Sequence, residues 1–223
     1  MQAVRAAFRD ECARLEQVLH GLDDAALERS TPCPPWRVRD LLAHVRTGAG
    51  RLAGMLAEPA PARAEVDAAG YFDAAKFSPP LDRERVDAAR RAARELPGAP
   101  EVAREFGRAW RATDEAVAAA PPGRLVRTRH GDAMTSTDFL RTRVVEVGVH
   151  GLDLADALDR PPWLTPTAAT VVVEVLTGGT ALPPHLGWDA LTVVRKATGR
   201  LPLTDAERAD LAQAGIGRLS FGG

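Results

Sequence analysis

The sequence predicts an all-α protein: a four-helix bundle with one long crossover connection, followed by a small helical C-terminal extension. Three observations point there. Ala, Leu, Arg, Glu and Asp dominate a chain whose aromatic content is only 5%, a mixture that favours helix over sheet. Apolar residues recur at three- and four-residue steps along the long segments. Proline clusters fall between those segments rather than inside them, where they would break a helix. With 45% hydrophobic residues over 223 positions, the chain has enough apolar surface for a substantial core.

The first helix is expected over residues 3–19, where Phe8, Cys12, Leu15 and Leu19 share one face and Gly21 stands just past the end. Thr31-Pro-Cys-Pro-Pro-Trp36 then forms a stiff lead-in, because its prolines forbid helix until Trp36. From Trp36 to about Leu56 a second helix carries Val38, Leu41, Leu42, Val45 and Leu52, with His44 on the inward side and Gly48 and Gly50 leaving room beside it. Residues 59–80 read as a long connection holding Tyr71, Phe72 and Phe77, a length at which a lid over a site is one known purpose. Helical pattern returns over 82–95, breaks at Leu96-Pro-Gly-Ala-Pro100, and continues over 101–119.

Leu125-Val-Arg-Thr128, followed by Gly131-Asp and Met134, suggests a short hairpin-like excursion. Ser136 or Thr137 is placed to cap the next helix, which runs to about Leu158 and stops before Pro161-Pro162. The β-branched run over 166–182 fits a buried helix or a strand, and its flanks favour helix. Segments 188–198 and 204–214 read as two further short helices, the second with a Thr204-Asp-Ala-Glu207 capping box. Residues 1–160 would then be the bundle and 161–223 a short helical extension packed on it.

Charge narrows the partners. Twenty-nine Lys and Arg balance 30 Asp and Glu, which points to neither nucleic acid nor an anionic membrane surface. Lysine occurs only at Lys76 and Lys196, so the basic residues are almost all Arg, a bias of GC-rich genomes. No opening apolar run resembles a signal peptide, and no window approaches the ~20 apolar residues that span a bilayer. Cys12 and Cys33 cannot scaffold a chain of this size. A cytoplasmic, reducing setting is expected, with small molecules as partners; a homodimer through the helical tail is one assembly the chain allows.

The residues that carry chemistry lie in Arg143-Val-Val-Glu146-Val-Gly-Val-His150-Gly-Leu-Asp153. Positions four apart on a helix lie one turn above each other, so Glu146 and His150 project together from an otherwise apolar stretch. His44 faces inward from a helix far earlier in the chain. Two imidazoles and a carboxylate converging in a bundle make a three-ligand site for a divalent metal with an open position. Imidazole and carboxylate donors suit zinc, and also Ni, Co or Fe. A buried Glu146 needs a cation or donors, since an uncompensated buried carboxylate costs several kcal/mol. Arg143, a metal or solvent would each serve, so these residues alone leave open a metal site or a plain buried polar network.

Asp153, close to one turn past His150, is placed to fix a ligand imidazole's tautomer, or to pair with Arg143 or Arg160. Arg51, two turns past His44, can meet an anionic substrate or simply lie over apolar neighbours with its head in water. Cys33 has no evident cation or helix N-terminus to activate it, so no nucleophile is assigned and a buried structural thiol is expected. His130, beside Gly131-Asp132, is the other histidine expected near the site mouth.

At these residues the chain resembles the DinB-like metalloproteins, in the branch named for mycothiol-dependent maleylpyruvate isomerase. Two signatures carry the resemblance: Thr31-Pro-Cys-Pro-Pro-Trp36-Arg-Val-Arg-Asp40-Leu-Leu-Ala-His44-Val, and Asp138-Phe-Leu-Arg-Thr-Arg143-Val-Val-Glu146-Val-Gly-Val-His150-Gly-Leu-Asp153-Leu-Ala. It implies a DinB-like four-helix bundle in which His44, Glu146 and His150 hold a metal, usually zinc, with water completing its shell. It further implies that the open position takes the sulfur of a low-molecular-weight thiol. Mycothiol is the thiol expected in an actinobacterial host.

The implied activity is a thiol-dependent transferase or isomerase acting on a small electrophile. Two departures stand out. Pro35 occupies a position where the family commonly has Gly, and the C-terminal region reads as a helical tail rather than the α/β domain of the isomerase itself. Two other readings therefore stand beside it: a zinc Lewis-acid lyase, cyclase or hydrolase that uses no thiol, and a non-catalytic metal-binding protein.

Overall fold

The computed structural model describes residues 1–73 and 79–216, with backbone alone at 79–82. Helices α1 (Gln2–Leu19), α3 (Val38–Ala57), α5 (Ala99–Ala119) and α6 (Ser136–Ala157) are the long members of an all-α bundle. The single turn α2 (Asp24–Leu27) links α1 to the proline-rich lead-in, and α4 (Pro79–Arg94) lies along α3. The strands β1 (Leu125–Arg127) and β2 (Ala133–Thr135) form the predicted hairpin, paired antiparallel with Val126 opposite Met134. After the bundle come α7 (Pro166–Thr177), α8 (Ala190–Ala197) and α9 (Asp205–Gln213). Among the described residues, no helix is long and apolar enough to cross a membrane.

The periodicity read from the sequence is the core. Phe8, Cys12 and Leu15 of α1, Leu41, Leu42 and Leu52 of α3, Phe106 of α5, and Phe139, Leu140 and Leu152 of α6 are all essentially inaccessible to solvent. A Leu or Phe buried to this degree contributes about 1.5–3 kcal/mol. The tightest helix pair is α3 against α5, and Gly50 explains why: a Cβ there would sit 3.1 Å from the Cβ of Ala109. The β-branched run over 166–182 is helical for Pro166–Thr177. Its Val171, Val172 and Val175 pack into the same core as the bundle.

Two local expectations shift. The helix after the hairpin is capped by Thr135, one residue before the predicted Ser136: the Thr135 hydroxyl accepts from Asp138 N–H at 3.0 Å. The hairpin decides this, because Ser136 N–H is spent on the carbonyl of Arg124 at 2.7 Å and its hydroxyl is buried. The long connection is not an open lid at its aromatic residues. Tyr71 and Phe72 are buried in a one-turn 3-10 helix over Gly70–Phe72, whereas Phe77 lies outside the described residues. The Thr204 capping box of α9 forms as predicted, with Thr204 Oγ1 and Glu207 accepting from each other's backbone N–H.

Candidate metal centre

The lead-in segment fixes the first half of the site. Thr31 Oγ1 donates to the carbonyl of Trp36 at 2.8 Å, and Asp40 accepts from Arg37 N–H at 3.0 Å to close the start of α3. These bonds hold the buried Trp36 ring against His44, with centroids 4.8 Å apart. His44 sits two turns into α3 and meets α6 where Glu146 and His150 project. Glu146 Oε2 lies 3.4 Å from His44 Nε2 and 3.5 Å from His150 Nε2. One donor atom from each of the three residues falls within 4.8 Å of the others.

These distances test whether the residues fit a metal. Donors bound at 2.0–2.1 Å in a tetrahedral shell stand about 3.3 Å apart, close to the two spacings seen. Good N–H···O hydrogen bonds are shorter, about 2.7–3.2 Å. Two neutral-capable imidazoles and one carboxylate are also the donor chemistry of a catalytic zinc site with an open position. The donor set fits the ion.

Electrostatics distinguish the three. Burial pushes the His44 imidazole down to about 4, against the opposing pull of Glu146, so it is neutral and able to donate a lone pair. Burial alone would raise Glu146, but His150, His44 and Arg143 outweigh it and hold the carboxyl well below its usual range. His150 is likewise drawn above its ordinary value: burial opposes the charge, and Asp153, Cys33 and Glu146 favour it. Asp153 accepts from His150 Nδ1 at 2.9 Å, which leaves Nε2 directed at Glu146. Asp153 does not pair with Arg143 or Arg160. Its partner is Arg200, through Nε at 2.8 Å and Nη2 at 2.7 Å.

Cys33 departs from its expected role as a buried structural thiol. It is half-buried, and its Sγ donates to Asp153 Oδ2 at 3.2 Å. The prolines around it set the chain so that this thiol reaches the histidine–aspartate pair.

Beside two of the three donors, His44 and Glu146, opens a cavity of about 220 Å³ lined also by Arg51, Tyr71, Arg85, Arg129 and Arg143 among others. Among the described residues, four guanidinium groups and one carboxylate line this pocket, a cationic balance in a chain of near-zero net charge. Arg143 is buried, lies over the Tyr71 and Phe139 rings, and stands 3.7 Å from Glu146 Oε1, its Nη2 having no hydrogen-bond partner among the described residues. Gly48 makes its place: a Cβ there would be 3.2 Å from Arg143 Nη1. The Arg51 guanidinium is pushed down by burial and then by the charge of Arg143, so an anion between them would relieve both.

Of the residues singled out in the sequence, His44, Arg51, Arg143 and Glu146 line this cavity, and His150 and Asp153 connect to it through Glu146. His130 packs edge-on to Tyr71 behind the rim, with centroids 5.4 Å apart. Sequence reasoning missed Arg85, Arg129 and Arg200. Arg85 sits in α4 among many exposed charges and Arg129 in a tight turn, and neither carries a local mark that sets it apart.

The family model described as "Mycothiol maleylpyruvate isomerase N-terminal domain" matches residues 8–155, a span that begins in α1 and ends in α6. A crystal structure of the mycothiol-dependent maleylpyruvate isomerase superposes with a TM-score of 0.53 at 16% identity, over 78% of this chain and 67% of that one. A structure of a histidine-to-alanine mutant of mycothiol-dependent maleylpyruvate isomerase gives 0.54 at 14% identity, over 79% and 69%. At these identities the likeness speaks for the fold. No curated protein sequence matches the chain.

Proposed function

Because the chain belongs to the mycothiol maleylpyruvate isomerase N-terminal domain family, we propose that it is a metal- and thiol-dependent enzyme acting on a small anionic electrophile. The observation that carries this reading is the convergence of His44, Glu146 and His150 donors beside an arginine-rich cavity that His44 and Glu146 line. His44, Glu146 and His150 would hold the metal, zinc by preference. Asp153 and Arg143 would fix His150 and Glu146, and Arg51 would bind substrate. Residues 1–160 supply all of these groups, and 161–223 act as a helical extension against them.

A bound zinc ion would supply Lewis-acid charge and keep a coordinating thiol, mycothiol in the leading case, deprotonated at neutral pH. The rest falls to side chains. Arg51, Arg129 and Arg143 bind and orient carboxylate groups, for which paired guanidinium donors are well shaped. Tyr71 and Phe139 form the wall on which Arg143 rests, keeping water from its far side. In an isomerisation the sulfur adds to the electrophilic carbon of a conjugated substrate, and the electron pair moves to its carbonyl oxygen, where the arginines stabilise the charge. After rotation about the bond, now single, the electron pair returns from the oxygen, reforms the double bond and expels the thiolate unchanged. In a transferase the adduct is protonated and leaves as the conjugate.

The test is metal content by mass spectrometry on protein purified without chelator or metal-affinity tag, followed by turnover of maleylpyruvate and related unsaturated acids with and without mycothiol. About one zinc per chain, lost in Glu146→Ala and His150→Ala, together with thiol-dependent turnover, is the expected result. Folded wild type that carries no metal and takes none up would end this reading.

A further inference from the structure

The C-terminal extension reaches the site through one side chain. Helix α8 ends in a Schellman motif: Gly199 adopts φ 76° and its N–H bonds the carbonyl of Lys196, while Arg200 N–H bonds that of Arg195 at 2.7 Å. The residue just past the left-handed glycine is thereby fixed in direction. Its guanidinium lies against Asp153 in the two-point geometry given above, and its Nη1 donates to the carbonyl of Thr198 at 2.9 Å. Asp153 is 1% exposed, so its orientation depends on these neighbours. Cys33 gives it one weak sulfur donor and Arg200 two charged nitrogen donors.

We propose that Arg200 is a positioning residue of the site: it locks Asp153 so that the carboxylate anchors His150 through Nδ1 and keeps Nε2 aimed at Glu146. The extension after α7 is then part of the site's construction, placed by a helix cap some fifty residues beyond the last donor. The consequence for metal binding rests on the proposed metal site; the consequence for the His150 imidazole does not. Partners of ligand histidines typically alter metal affinity about 10–100-fold when removed, and Arg200 acts one step further out.

The experiment compares wild type with Arg200→Ala, Arg200→Lys and Arg195→Ala. Arg195 joins α8 to α6 by an equally bidentate pair with Asp156, at 2.8 and 2.7 Å, and feels the charge of Asp153 without a hydrogen bond to it. It therefore loosens the extension's docking alone. Two readouts are taken on each folded variant: zinc affinity by competition with a chromogenic chelator, and the exchange-protected Nδ1–H proton resonance of His150 in metal-free, isotope-labelled protein. Arg200→Ala is expected to weaken zinc binding about tenfold and to broaden or abolish the Nδ1–H resonance. Arg200→Lys should fall between, and Arg195→Ala should change neither.

An unaltered resonance and affinity in Arg200→Ala, or equal losses in Arg195→Ala, would overturn the proposal. If Arg200→Ala does not fold, Arg200→Lys decides by the same two criteria. If wild type takes up no zinc, the metal reading falls, and the resonance alone judges the role of Arg200.

Discussion

Two glutamates that face the interior of this bundle, Glu11 fully buried and Glu146 half-buried, have opposite fates. Glu11 of α1 is fully buried, and its Oε2 accepts from the Thr165 N–H at 2.8 Å and the Thr165 hydroxyl at 2.7 Å, at the start of α7. Burial is the largest influence on it, and the Thr165 bonds only partly offset that, so its carboxyl is raised and tends towards the neutral form. Glu146 of α6 keeps one side open to a cavity and faces two imidazoles and a guanidinium, which hold it ionised. Burial of an acid is thus not itself a sign of chemistry. What separates a structural tie from a candidate ligand is which groups its free oxygens face. Glu11 Oε1 has no hydrogen-bond partner among the described residues, and Glu146 has more partners than an ordinary salt bridge needs.

The sharpest way to break this contrast is to make the same substitution at both. Glu146→Gln should abolish zinc retention, at least a hundredfold in affinity, because a neutral amide is a poor ligand for a hard-to-borderline cation. Glu11→Gln should leave metal content untouched. Equal retention in both variants would mean that the two glutamates differ only in packing.

Next in size is Glu11→Ala. It leaves a cavity and strips Thr165 N–H of its acceptor, so unfolding should cost about 2 kcal/mol less in denaturant titration. Metal content should not follow.

A subtler test lies at Gly48. Gly48→Ala must push Arg143 Nη1 from a 3.2 Å approach by a few tenths of an ångström. The expected outcome is a few-fold weaker binding of a dicarboxylate probe by calorimetry, with the melting temperature held or slightly raised by the better helix propensity of Ala. Unchanged anion binding would remove Arg143 from the pocket's function.

The smallest effect carries a defined pH sign. With the folded pKa of Glu11 raised, the native state holds its proton more tightly than the unfolded chain. Stability is then lost as pH rises from the unfolded value near 4.5 through the folded one. Glu11→Gln, which cannot ionise, should gain in melting temperature relative to wild type as pH rises past the unfolded value and show no such advantage below it. A constant difference at all pH values would show that Glu11 is not the group responsible.

The amphipathic helices, their order and the hairpin were legible in the sequence because apolar period, prolines and caps act over a few residues, and Phe8, Leu41, Phe106 and Leu152 lie where that period puts them. The pairing of Glu146 with His150 was legible too, since a four-residue step on one helix fixes a shared face before any packing is known, whereas His44 comes from α3 and meets them only through the docking of α3 on α6. The sequence left open what these residues would meet. That Asp153 pairs with Arg200 rather than Arg143 or Arg160, that Cys33 donates to it, and that Arg85 and Arg129 complete a cationic pocket are facts of three-dimensional approach between distant segments. Even the cap of α6 moved by one residue because a strand partner claimed Ser136. Local periodicity decides which face a side chain takes; only the docking of one element on another decides which charge stands across from it.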